Sequence, residues 1–156
     1  MPSQDDIRRE YLSLISAAGS VIAEPAPQEV WRRLQSWRKA FAADLHARTG
    51  KWAHGDYDWH VFSFDFARSI RGERAVIAAQ EHIRGITSLT IAPKESYLPA
   101  IELSASTMPE LRTLNHDILI WPSSFEWTIA YTHEDASGMG PFFCKREWIL
   151  SLDPSG

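Results

Sequence analysis

Residues 125–148 read FEWTIAYTHEDASGMGPFFCKREW. Phe125, Trp127, Ile129 and Tyr131 fall at every second position, the side-chain period of a strand. Phe142, Cys144, Trp148 and Leu150 repeat in the same sense further on. Between the two runs lies THEDASGMGP, from Thr132 to Pro141, too long for a two-residue turn. The pattern predicts an antiparallel hairpin closed by a loop of about eight to ten residues. Loops held between rigid strands are where function concentrates. A chain that ends in such a hairpin has a sheet, and its other segments must pack against that sheet.

Upstream of the hairpin the period changes. Ile7, Tyr11, Leu14, Ile15 and Ala18 share one helical face, so a helix is expected over 4–18. Ser3 is placed to cap it, Asp5 and Asp6 suit the positive end of its dipole, and Gly19 ends it. Residues 20–26 read as a connector. Pro27 opens a longer helix, running to Thr49-Gly50, with Val30, Leu34, Trp37, Phe41 and Leu45 on one stripe. After a glycine-bearing loop over 50–56, the run YDWHVFSF from Tyr57 to Phe64 is aromatic and β-branched and reads as an interior strand. A third helix is expected over 72–84, with Ala75, Val76, Ala79 and Ile83 inward and Gly85 as terminator. Strands are expected over 86–92, 97–105 and 117–121. Pro99 argues that the second of these lies at an edge. Thr107 and Glu110 have the spacing of a capping box for a short helix reaching Leu114.

The resulting expectation is one α+β domain over residues 1–156, with an N-terminal helix and connector over 1–26 and a core over 27–150. Its mixed, mostly antiparallel sheet has about five strands, with the helices against one face.

Composition narrows the function classes. The 156 residues are 44% hydrophobic and 23% charged, ordinary for a globular chain. A chain of this length buries roughly two thirds of its unfolded surface and needs no metal or disulfide to hold a core. Cys144 is the one cysteine, so no internal disulfide exists, which suits a reducing, cytoplasmic compartment. The first ten residues have no signal-peptide pattern, and no apolar run reaches membrane-span length. Net charge is −4. Arg32, Arg33, Arg38 and Lys39 are the only basic cluster and share a helix with core residues, so nucleic-acid binding is not expected. Seven tryptophans supply large apolar area and suit a core or an interface.

Two groups of residues could carry chemistry. His133, Glu134 and Asp135 enter the hairpin loop together and suit an acid–base pair or a metal ligand. They do not fit H-E-x-x-H, because position 137 is Ser. Asp58, Trp59 and His60 form the second group. On a strand, Asp58 and His60 share a face about 7 Å apart, so the carboxylate could orient the imidazole. Trp127 joins the candidates as an aromatic neighbour of the loop. Cys144 points inward and reads as a small hydrophobe. Gly138 and Gly140 read as turn formers. The chain contains no G-x-S-x-G elbow, Walker motif or dinucleotide fingerprint, and no cofactor or resident metal is expected.

Asp58-Trp59-His60-Val61-Phe62-Ser63, together with Phe125-x-Trp127-Thr128 … Thr132-His133-Glu134 … Gly140-Pro141-Phe142-Phe143, resembles an uncharacterised bacterial domain-of-unknown-function family. That family carries a W-H-x-F-S segment mid-chain and a W-T-x-x-x-T-H-E … G-P-[YF]-F segment near the end. The resemblance spans about residues 30–150 and rests on these two segments. It marks Trp59, His60, Trp127, Thr128, His133, Glu134, Gly140 and Pro141 as motif positions and implies no activity.

Two functions follow as expectations. One is a non-catalytic binding module with a protein partner, of an accessory or toxin-immunity type. The other is a small metal-assisted hydrolase using His60, His133 and Glu134.

Overall fold

The computed structural model describes residues 2–83, 85 and 87–149. Arg84, Ile86 and Leu150, assigned above to a helix end and to two strands, lie outside the described residues. The fold is α+β. Among the described residues seven strands form one sheet in the order β1-β4-β3-β5-β6-β7-β2, and every pairing is antiparallel. The strands are β1 Gly19–Ala23, β2 Ile70–Arg71, β3 Thr87–Pro93, β4 Ile101–Ala105, β5 Ile118–Pro122, β6 Trp127–Tyr131 and β7 Phe142–Lys145. The helices are α1 Gln4–Ala18, α2 Pro27–Phe41, α3 Ala43–Thr49, α4 His60–Ser63 and α5 Glu73–His82.

The count exceeds the expected five because two strands carry no alternation to read. β1 lies at the sheet edge with Val21 and Ile22 exposed, and β2 is two residues long. Gly19 is required where β1 meets β4: a Cβ there would stand 2.1 Å from the Ser104 carbonyl oxygen.

Helices cover both faces of the sheet, not one. Register explains the division. Ile101, Ile91, Ile120, Ile129 and Phe143 stand opposite one another across β4, β3, β5, β6 and β7. This branched row packs under α1 and α5, against Tyr11, Ile15, Ala75 and Ala79. The next row, Ala92, Leu119, Ala130 and Phe142, faces the other way. Its alanines leave room for large rings, and Trp37, Phe41, Trp59 and Phe62 fill it.

Four further expectations are corrected. The Tyr57–Phe64 strand is instead a tight turn leading into the single-turn α4, because Trp59 and Phe62 bury at a spacing of three and the Tyr57, Asp58 and Trp59 carbonyls accept local N–H groups. β4 is interior, between β1 and β3, because it begins at Ile101, beyond Pro99. The capping box does not form. Glu110 accepts from the Arg112 backbone N–H and guanidinium, and only a 3₁₀ turn at Arg112–Leu114 follows. The long helix from Pro27 breaks at Ala42 into α2 and α3.

The hairpin forms as expected, with Trp127 opposite Lys145 and Ala130 opposite Phe142. Trp148 stands in a 3₁₀ turn beyond β7. Among the described residues no helix is long and apolar enough to cross a membrane.

Candidate functional site

The register sets Pro93, Ile118 and Tyr131 side by side at one end of the sheet. Lys94, Asp117 and Thr132-His133 therefore leave the sheet together. Asp117, not singled out from the sequence, is the hub. Its carboxylate is nearly buried and accepts three hydrogen bonds: from the Trp59 indole N–H at 2.8 Å, from the His133 backbone N–H at 3.1 Å and from His133 Nδ1 at 2.9 Å. A carboxylate only accepts, so Nδ1 carries a hydrogen. Nε2 faces Glu134, 3.8 Å from Oε1, and the His133 side chain is 38% exposed.

The Tyr57–Trp59 turn lies across this hub. Tyr57 and Trp59 stack at 5.5 Å, and His133 packs against both rings, 4.9 Å from Tyr57 and 5.9 Å from Trp59. His60 touches the same two rings, at 5.3 Å and 4.5 Å. His60 and His133 thus share one aromatic neighbourhood. Their nitrogens are engaged separately, since His60 Nδ1 lies 2.8 Å from the His54 carbonyl oxygen and donates to it.

The expected Asp58–His60 pair is not made. Asp58 instead takes a side-on ion pair from Arg38 of α2, at 2.7 Å from Nε to Oδ1. That pairing fixes the turn to the helix and follows from the loss of strand geometry. Trp127 does not join the group either. It is buried on the α1/α5 face, stacked on Phe143 at 5.9 Å, while Trp59 lies in the opposite layer.

Between α2, the Tyr57–Trp59 turn and the sheet end lies a cleft of about 260 Å³. Val30, Leu34, Ala92 and Leu119 give it an apolar floor and wall, with Tyr57 and Trp59 opposite. At its rim the Lys94 ammonium sits over the Tyr57 ring, 4.5 Å from the centroid. No carboxylate pairs with Lys94 among the described residues, although Asp56 also lines the rim. Trp31 is 63% exposed on α2. It lies one turn before Leu34 on the same helix.

The loop after His133 is held from below. The Asp135 carboxylate accepts from the Thr132 backbone N–H and hydroxyl, at 3.1 and 2.7 Å. Gly140 passes so close that a Cβ there would stand 2.7 Å from Asp135 Oδ1. Burial raises the Asp135 carboxyl to about 6. Cys144 is buried beneath this region, and burial pushes its thiol up to about 12, so it stays protonated and inert. Among the described residues no group of three His, Cys, Asp or Glu side chains could hold a metal ion. Comparison with family models, curated proteins and solved structures returns no match to this chain.

Proposed function

We propose that this protein is a non-catalytic binding module of the cytoplasm, and that its cleft receives an apolar side chain from a protein partner. The observation that carries this reading is an apolar-walled cleft of about 260 Å³ lined by Leu34, Tyr57 and Trp59, beside a helix that also exposes Trp31. Interface hot spots concentrate Trp and Tyr around such pockets. A cleft of about 260 Å³, at the lower end of ligand-site volumes, has room for one anchoring side chain. The rim agrees: Arg38 is paired with Asp58, and Asp117 is saturated by Trp59 and His133, so the walls are pre-organised. The two segments of the family resemblance, around Trp59-His60 and His133, meet here, and we propose that shared family membership underlies them.

The test is capture by the tagged protein. A partner identified by mass spectrometry is expected to be lost in Trp31→Ala and in Leu34→Trp, which fills the cleft, while both variants keep the wild-type melting temperature. Capture indifferent to both variants would overturn the reading.

A second reading has one observation in its favour, the His133–Asp117 pair. An imidazole oriented by a buried carboxylate is the arrangement of a general base, with Nε2 as the group that would take a proton from water. Measurable ester hydrolysis lost in His133→Gln, with partner capture unchanged, would move the assignment to this reading.

A further inference from the structure

The cleft has a matching knob on the same molecule. Phe64 is 56% exposed, just beyond α4. Its ring rests on His54 and His60, at 4.6 and 5.2 Å, and turns its remaining surface outward. Asp65 follows in the left-handed region, at φ 58, and is exposed. Asp tolerates that conformation better than most residues, and here it closes the turn with its N–H on the Phe62 carbonyl. An isolated exposed aromatic needs no explanation. An aromatic followed by a carboxylate matches, in apolar character and in charge, a cleft with apolar walls and Lys94 at its rim, which no carboxylate pairs among the described residues although Asp56 lines the same rim.

We propose that the occupant of the cleft is a second copy of this chain, which inserts Phe64 between Leu34 and Trp59 and sets Asp65 against Lys94. This rests on the binding reading above and names its partner. A mutual exchange of knobs about one two-fold axis is the isologous arrangement that closes as a dimer. The Lys94–Asp65 contact would be a rim charge pair, contributing orientation and choice of partner more than affinity. The contact is small, and small interfaces below about 1,200 Å² are transient. The dimer is therefore expected to dissociate on dilution.

Sedimentation velocity over a concentration series reads this directly. Wild type is expected to pass from monomer to dimer. Phe64→Ala and Leu34→Trp are each expected to weaken association at least about tenfold, the loss of one hot-spot residue. Charge provides the sharper arm. K94E alone and D65K alone place like charges at both contacts of their own dimers and are expected to stay monomeric. Mixed in equal amounts, they make opposite charges at both contacts and are expected to dimerise with each other. D65N, mild at this backbone position, serves as the neutral control, and thermal melts confirm that each variant folds. A wild type that is monomeric throughout, a dimer unaffected by Phe64→Ala, or a mixture that fails to pair would each overturn the proposal. If the wild type is monomeric yet captures a foreign protein through Leu34, the self-association fails and the binding reading stands. If it does neither, both fail.

Discussion

The two faces of the sheet are built from alternate residues of the same strands and do different things. Under α1 and α5 the sheet presents Ile101, Ile91, Ile120, Ile129 and Phe143 in one row, and the contacts there are almost wholly apolar. On the other face the row is Ala92, Leu119, Ala130 and Phe142, and the space above the alanines is filled by indoles with hydrogen-bond partners. Trp37 donates to Thr128, which passes the bond on to the Ile120 carbonyl, and Trp59 donates to Asp117. Branched packing is non-directional and gives stability. An indole tied to a polar group is directional and fixes where a ring points. The first face holds the molecule together, and the second sets Tyr57 and Trp59 in the cleft wall with His133 packed behind them on Asp117.

If that division is right, the largest loss of stability comes from the face that has no part in the site. Leu89 is fully buried under α1 and α5. Leu89→Ala is expected to cost about 3–5 kcal/mol, transfer plus residual cavity, measured by urea unfolding. The Trp59 indole resonance should keep its wild-type shift under native conditions. A moved Trp59 signal would mean that the two faces are coupled, and the comparison would break.

Asp117 tests the other side. Asp117→Ala removes the acceptor for one indole N–H and one backbone N–H and is expected to cost about 2–4 kcal/mol, the desolvation of donors left unpaired. Unlike Leu89→Ala, it should move the Trp59 and His133 signals and open the cleft. Asp117→Asn keeps an acceptor oxygen and should recover most of the stability. An alanine variant with unchanged Trp59 and His133 resonances would deny Asp117 its role as hub.

The same contrast explains what could be read from the sequence. The hairpin was legible because Trp127, Ile129 and Tyr131 alternate, and the α1 and α2 stripes because their apolar residues repeat at helical spacing. The Tyr57–Phe64 turn was misread, since β-branched and aromatic content mimics a strand while the structure there is set by distant partners: Arg38, 20 residues before Asp58, and Asp117, 58 residues after Trp59. No local period encodes such contacts. His133, His60, Asp58 and Trp59 were found as chemistry-bearing residues, but not their pairings. By pattern alone Asp117 reads as the first residue of an apolar strand. A lone acid at the head of so buried a strand was the available signal, because an acid there requires donors.

The smallest effect concerns the floor of the hairpin loop. Asp135 is held under Thr132 and Gly140, and burial raises its carboxyl from 3.8 to about 6. A raised carboxyl means that the folded protein binds the proton more tightly than the unfolded chain. The protonated form therefore favours the fold below pH 4, and this contribution is lost as pH rises through 6. Partial exposure limits it to about 1 kcal/mol. Denaturant midpoints taken between pH 4 and 7 should show this decline in wild type, and Asp135→Asn, which cannot titrate, should flatten it. The Trp59 signal should barely follow it, because Asp135 is hydrogen-bonded to Thr132 and meets the Asp117 hub only through weak charge repulsion. A Trp59 shift titrating near pH 6 and lost in Asp135→Asn would join the loop to the cleft and erase the line drawn between packing and aim on this face.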